Sequence, residues 1–160
     1  ILERMKRRYR VADFSALLER AGRAMPQLGV GTDIICGFPG ETDAAHANTR
    51  ALVEALPFSN LHVFPFSARP GTVAAELDGA VDPGVARERT RDLITLGQTK
   101  RDAFAQQFIG QDVALLVEKT KAGVATGWTS QYLPARIDGD AAVNDIVTFQ
   151  PTAWQDGQLV

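Results

Sequence analysis

Cysteine is nearly absent from this 160-residue chain, where Cys36 stands alone. An internal disulfide is thereby excluded, and the thiol inventory agrees with a reducing compartment, so the cytoplasm is the expected location. Histidine is almost as scarce: His46 and His62 are the only two, and neither stands at ligand spacing from another donor, so no zinc centre is expected. No apolar run approaches the roughly 20 residues that a helix needs to span a bilayer. The chain opens Ile-Leu-Glu-Arg-Met, with neither an initiator methionine nor the charged-then-apolar pattern of a secretory signal, and reads as a fragment that begins inside a helix. The G-x-S-x-G nucleophile elbow and the G-x-x-x-x-G-K-[ST] phosphate loop are both missing, which leaves the common hydrolases and nucleotidases without support. Neither an internal repeat nor a low-complexity segment is visible.

What is present is an ordinary soluble composition, 45% hydrophobic and 22% charged with net charge −2. The length suits one domain, or one small domain joined to part of another. Charge is unevenly spread. The first ten residues carry Arg4, Lys6, Arg7, Arg8 and Arg10 against Glu3 alone, an end able to meet phosphate or to sit as a solvated helix end. Residues 111–160 carry Lys119, Lys121 and Arg136 against six acids, so a general RNA-binding surface is not evident there.

Val11, Phe14, Leu17, Leu18, Ala21 and Met25 recur at helical spacing and Pro26 closes them, which predicts a helix over 11–24 that covers a sheet. Leu28 to Cys36 reads as a strand, apolar enough at Ile34, Ile35 and Cys36 to be buried on both faces as parallel strands are. A turn over Gly37 to Glu41 follows, and then Thr42 caps a second helix striped by Ala45, Thr49, Leu52, Val53 and Leu56 and ended by Pro57. Leu61 to Phe66 is a second strand, followed by the turn-rich "SARPGT". Helix, strand, helix, strand with short connections is the pattern of a parallel α/β sheet, in which both strand-end loops lie side by side on the functional face. A long helix is expected from about Gly84 to Phe108, with Gly110 as its stop. Beyond it, runs at 113–117, 124–128, 133–137 and 146–149 predict a small antiparallel barrel or sandwich, with a domain boundary near Gly110.

The candidates for chemistry sit at the two strand ends. Cys36 lies inside an apolar strand, where cysteine behaves as a small inert hydrophobe. Gly37 and Gly40 let the backbone come close to a ligand, since they carry no side chain. Arg69, held between turn residues, can form bidentate bonds to a phosphate or carboxylate, or pair with a neighbouring acid at the surface. Trp128 and Tyr132 can stack on an unpaired base or simply pack the small barrel.

Four segments in this order, "ILERMKRRYR", "TDIICGFPGET", "LHVFPFSARPGT" and "FIGQDVALLVE", resemble the C-terminal part of radical S-adenosylmethionine methylthiotransferases, over nearly all of residues 1–150. The resemblance implies an α/β fold in which residues 1–110 are the C-terminal portion of a partial (β/α) barrel and residues 111–160 a small all-β TRAM-like barrel that helps to hold RNA. It also implies a reaction, in which a [4Fe-4S] cluster cleaves S-adenosylmethionine, the radical removes a hydrogen from substrate carbon, and a methylthio group is inserted. The cluster-binding cysteines of that family lie outside this chain, so no catalytic or metal-binding residue is expected within it and the chain alone should be inactive. By resemblance, Ile35 and Gly37 lie against S-adenosylmethionine, backbone near Phe66 and Ser67 reads the adenine edge, and Asp33 and Arg69 face cofactor or substrate nucleotide.

The expected partner is the anticodon stem-loop of tRNA, joined by Trp128 and Tyr132, with neither a membrane nor DNA among the expected partners. "SARPGT" and Asp33 resemble the tRNA-modifying branches rather than the ribosomal-protein branch. "LHVFPFSARPGT" and "GWTSQYLPARI" are more similar to the enzyme acting at C2 of N6-threonylcarbamoyladenosine (t6A) than to the isopentenyladenosine enzyme, which is the alternative. A non-catalytic RNA-binding module is the alternative of another class. Two positions depart from the family pattern: Arg10-Val11 replaces its usual Thr-Thr, and Phe66 its usual Tyr.

Overall fold

A computed structural model describes residues 1–160 and divides them into two compact units, Ile1–Gln98 and Thr99–Val160. The division falls inside a helix, whereas the change in sequence texture falls at Gly110. The difference has a packing cause: Phe104, Ala105 and Phe108 precede the glycine and join the core of the second unit.

In the first unit the order is α1 (Val11–Ala24), β1 (Gly31–Cys36), α2 (Asp43–Ala55), β2 (Asn60–Pro65), a 3-10 turn at Val73–Glu76 and the start of α3 (Pro83–Gln106). β1 and β2 pair in parallel, with Asp33 opposite His62, Ile35 opposite Phe64 and Cys36 opposite Pro65. The helix starts follow from local chemistry. Thr42 accepts a hydrogen bond from the Ala45 amide at 3.2 Å, and Asp82 accepts from the Gly84 and Val85 amides at 2.7 and 3.2 Å. Pro83 occupies the first turn of α3, where a missing N–H costs nothing. At α1, Arg10 has no side-chain acceptor to offer, so only the return bond is made, from the Arg10 amide to Asp13 at 3.1 Å.

Leu18, Val53, Leu56 and Phe58 form the buried core of this unit, with Phe14, Ile34 and Leu61 packed against them. The expectation that the first strand is buried on both faces fails. Cys36 is fully buried and Thr32 and Ile34 are half-buried, but Gly31, Asp33 and Ile35 are exposed. Only two strands form this sheet, and α1 and α2 contribute their apolar side chains to one face of it, the Ile34 face. The α1 stripe is likewise only partly used, since Val11, Leu17 and Met25 stay exposed. Nor is the amino terminus helical. Met5 and Arg7 amides bond back to the Ile1 and Leu2 carbonyls, but the left-handed backbone of Lys6 (φ 56°) stops the turn from propagating.

The second unit holds β3 (Val113–Lys121), β4 (Val124–Thr129), β5 (Pro134–Asp138), β6 (Ile146–Phe149), β7 (Trp154–Gln155) and β8 (Gln158–Leu159). Their order is β6-β3-β4-β5-β8-β7. Val113, Leu115 and Val117 alternate inward from β3 and meet Ala125, Leu133, Ala135 and Leu159, all at most 2% exposed. The sheet is mixed rather than antiparallel throughout, and it is not a closed barrel, because β8 returns along β5 in the same direction and the end strands β6 and β7 do not pair. Gly127 is required at the centre: β3 shifts register between Val117 and Lys119, and a Cβ at Gly127 would collide with the Leu116 carbonyl. The β7–β8 hairpin was not expected from the sequence, although its turn is Asp156-Gly157, both at positive φ (52° and 74°), the dipeptide such hairpins favour.

β1 and β2 each have one unpaired edge, and open edges template further pairing. The 160-residue chain on its own should therefore self-associate or aggregate in solution, and light scattering checks this: a monodisperse monomer would contradict it.

Candidate functional site

The carboxyl ends of the two strands meet. The Phe66 amide donates to the Cys36 carbonyl at 2.7 Å, and the Phe38 and Phe66 rings stack edge to face with centroids 5.2 Å apart. The side-by-side loops expected from the parallel pattern are thus adjacent. Their glycines serve a different neighbour from the one anticipated. Gly37 is buried with φ 77°, and a Cβ there would stand 2.5 Å from the Ala86 Cβ of α3, while Gly40 faces the Arg4 guanidinium. In both places the space a side chain would take is filled by the protein itself.

The turn between them is fixed by buried charge. The Gly37 amide donates to Glu41 Oε2 at 2.7 Å. From α3, Arg89 Nη1 donates to the same oxygen at 2.8 Å and to the Glu41 carbonyl at 3.0 Å, and Arg89 Nη2 reaches Asp43 at 2.6 Å. Glu41 is 9% exposed and Arg89 7%. Burial works against the guanidinium charge, but the Asp43 and Glu41 carboxylates outweigh it and hold the Arg89 pKa above its ordinary value. Nothing in the sequence announced this pairing, since the partners lie on different elements and each alone looks like a surface residue.

Cys36 behaves as anticipated, as packing. It is fully buried, and burial pushes its thiol up to about 11, partly offset by a hydrogen bond with Thr90. His46 is half-buried and pairs through Nε2 with Asp92 at 3.1 Å, while its Nδ1 is buried without a partner.

The uncovered sheet face is the other half of the site. Asp33, Ile35, His62 and Phe64 point the same way, with Ile35 39% and Phe64 53% exposed, and the two pair across the strands. Phe64 was not singled out from the sequence, although the alternation in "LHVFPF" carries the signal. Four consecutive β1 residues, Thr32 to Ile35, also line a cavity of about 780 Å³ that extends to Leu52 of α2 and to Met5. Beyond β2, Ser67 and Arg69 are exposed, and the Arg69 carbonyl accepts bonds from the Thr72 amide and hydroxyl, which closes the loop.

In the second unit Tyr132 is 78% exposed and Trp128 41%. Trp128 pairs with Leu116, which pairs in turn with Ile146, so three exposed apolar side chains run across β4, β3 and β6. Trp154, by contrast, packs against the core and donates from Nε1 to Asp102 at 2.8 Å.

The donors present do not fit an iron–sulfur cluster. A cluster needs several thiolates, whereas the lone thiol is buried and no three His, Cys, Asp or Glu side chains converge. Ile35 and Phe64 form an exposed apolar bed beside the Asp33 carboxylate and the polar His62, a surface that a flat ligand with polar edges could cover. No helix is long and apolar enough to cross a membrane.

No family model matches the chain. Similar proteins nonetheless cover nearly all of it, and the chain resembles a segment of proteins named as tRNA methylthiotransferases and synthases. It is 36% identical over 159 residues to the tRNA-2-methylthio-N(6)-dimethylallyladenosine synthase of Corynebacterium efficiens, covering 99% of the chain and 29% of that protein. It is 44% identical over 117 residues to the synthase of the same name from Parafrankia sp., covering 73% of the chain and 24% of that protein. To the threonylcarbamoyladenosine tRNA methylthiotransferase MtaB of Thermotoga maritima it is 35% identical over 141 residues, 88% of the chain and 32% of that protein. The chain thus spans about a quarter to a third of the length of these relatives.

Three outcomes follow from the turn and the strand end before it. Gly37→Ala should destabilise the first unit by about 1–3 kcal/mol, because the left-handed backbone and the Ala86 contact both oppose a Cβ; the urea midpoint measures it. The Cys36 thiol should resist iodoacetamide at neutral pH while the chain is folded. Because the unfolded thiol ionises first, stability should fall as pH rises from 9.0 to about 11 and be unaffected by this group below that window.

Proposed function

We propose that this chain is part of a tRNA methylthiotransferase, with residues 1–110 the closing portion of a radical S-adenosylmethionine (β/α) barrel and residues 111–160 a TRAM-like RNA-holding module. The observation that carries the reading is the match, over 99% of the chain, to a relative named for 2-methylthio adenosine synthesis, together with the open β1–β2 face at the strand ends. When bound, S-adenosylmethionine with [4Fe-4S] clusters held by residues outside this chain supplies radical hydrogen abstraction and the methylthio group.

The chain's own residues bind and orient. Ile35 and Phe64 give the adenosine an apolar bed, and Gly37 holds the turn that ends that bed. The backbone at Phe66 and Ser67 reads the base edge, although the Phe66 amide is already given to Cys36, which leaves the exposed Ser67 as the available donor. Asp33 and Arg69 face the cofactor or the substrate nucleotide. Tyr132 and Trp128 stack on unpaired bases of the anticodon stem-loop, a contact that tolerates the acidic balance of residues 111–160 because stacking does not depend on phosphate neutralisation. The low cysteine content suits a cytoplasmic enzyme.

The favoured substrate is tRNA carrying N6-threonylcarbamoyladenosine, methylthiolated at C2, on the resemblance of "LHVFPFSARPGT" and "GWTSQYLPARI" to that branch. A second reading has an observation of its own: relatives acting on dimethylallyladenosine match at 36% and 44%, against 35% for the threonylcarbamoyladenosine enzyme. Deleting the gene and measuring tRNA nucleosides by mass spectrometry separates the two. Loss of the methylthio form of threonylcarbamoyladenosine is the expected result, loss of the dimethylallyl or isopentenyl form supports the second reading, and unchanged methylthio nucleosides would end both.

A further inference from the structure

One face of α3 presents three successive contacts to the end of β1. Ala86 lies against Gly37, Arg89 bonds Glu41, and Thr90 hydrogen-bonds Cys36, at the i, i+3 and i+4 spacing that puts them on one side of a helix. Around the same turn the Gly40 amide donates to the Gly79 carbonyl at 2.7 Å and the Glu41 amide to the Phe38 carbonyl at 2.9 Å. Only one member of this set carries a buried charge into the turn. Apolar side chains would fill the same volume without that desolvation cost, so a retained buried ion pair is better explained by geometry than by stability. Its geometry is specific: one carboxylate oxygen takes the Gly37 amide and the Arg89 guanidinium together, at 2.7 and 2.8 Å. Asp43, the other partner of Arg89, has a side chain 99% exposed and adds little to that constraint.

We infer that Arg89 is a positioning residue: from α3 it holds the Glu41 carboxylate at the one place where it accepts the Gly37 amide, and so fixes the end of β1, which carries Ile35 and whose Cys36 carbonyl takes the Phe66 amide. Its consequence for ligand binding rests on the proposed S-adenosylmethionine site, whereas its consequence for the turn does not. Arg89 itself touches no ligand. It acts through Glu41, and a site of this kind tolerates displacements of only about half an ångström.

The test uses the full-length protein that contains this chain, with Arg89→Met, Arg89→Lys, Glu41→Gln and the Arg89→Met/Glu41→Gln pair. Two quantities are read: amide hydrogen exchange at Gly37 and the dissociation constant for S-adenosylmethionine by equilibrium dialysis. Arg89→Met and Glu41→Gln should each speed Gly37 exchange and weaken the affinity by about tenfold, and the loss of protection at Gly37 should exceed the global loss read from the core amides of Val53 and Leu93. The pair should be no worse than either single change, because the two residues act as a unit, and Arg89→Lys should recover part of the loss. Wild-type exchange at Gly37 in a folded Arg89→Met or Glu41→Gln protein would overturn the inference, as would a loss of protection spread evenly over β1, α2 and the core. If Arg89→Met does not fold, Glu41→Gln, which keeps the side-chain shape, decides alone. Absence of S-adenosylmethionine binding by the unaltered protein would overturn the proposed site instead, and the Gly37 exchange would still decide the role of Arg89.

Discussion

The first unit depends on a charge that has no business being buried unless it is matched. Glu41 ends the turn after β1, and the fold brings Arg89 from 48 residues away to meet it. Losing one partner of such a pair strands the other charge away from water, a cost of roughly 3–5 kcal/mol that is large against the 5–15 kcal/mol by which whole domains are stable. α3, the Gly37 turn and the entry to α2 are therefore one construction. The tight contact of Gly37 with Ala86 is possible because the pair pulls the helix onto the turn, and the pair is short because a glycine lets the helix come so close.

That construction explains why the proposed binding face of the first unit is open and well defined at once. β1 and β2 show one face to the helices and leave Asp33, Ile35, His62 and Phe64 on the other. An exposed apolar pair beside a carboxylate is poor in stability and rich in recognition, since apolar surface left in water is worth covering. The end of β1 is held firmly from behind by Arg89 and Ala86 of α3, so the surface a ligand would meet there is preformed.

Much of the fold was legible because periodicity is local. The spacing of Phe14, Leu18 and Ala21, the Thr42 cap and the glycines at 37 and 110 mark helix and strand limits to within a few residues. Burial was less legible. Ile35 looks like core in the sequence, and whether it is covered depends on how many layers surround the sheet, which no short window contains. The β7–β8 hairpin was readable in its Asp-Gly turn, but two-residue strands carry no periodicity to draw attention to it. At the site, the strand-end loops could be found from their turn residues. Arg89 could not, because a long-range ion pair leaves no trace in spacing, and the glycines suggested an approaching ligand where α3 approaches Gly37 and the Arg4 guanidinium approaches Gly40.

The separation of Glu41 from Arg89 also orders events during synthesis. When β1, α2 and β2 have left the ribosome, the carboxylate that will fix the turn is still solvated, and its partner has yet to be made. Domains fold as units, so the turn at the end of β1 cannot take its final form before α3 emerges. In a nascent chain of this protein, the last residue that turn waits for is Arg89.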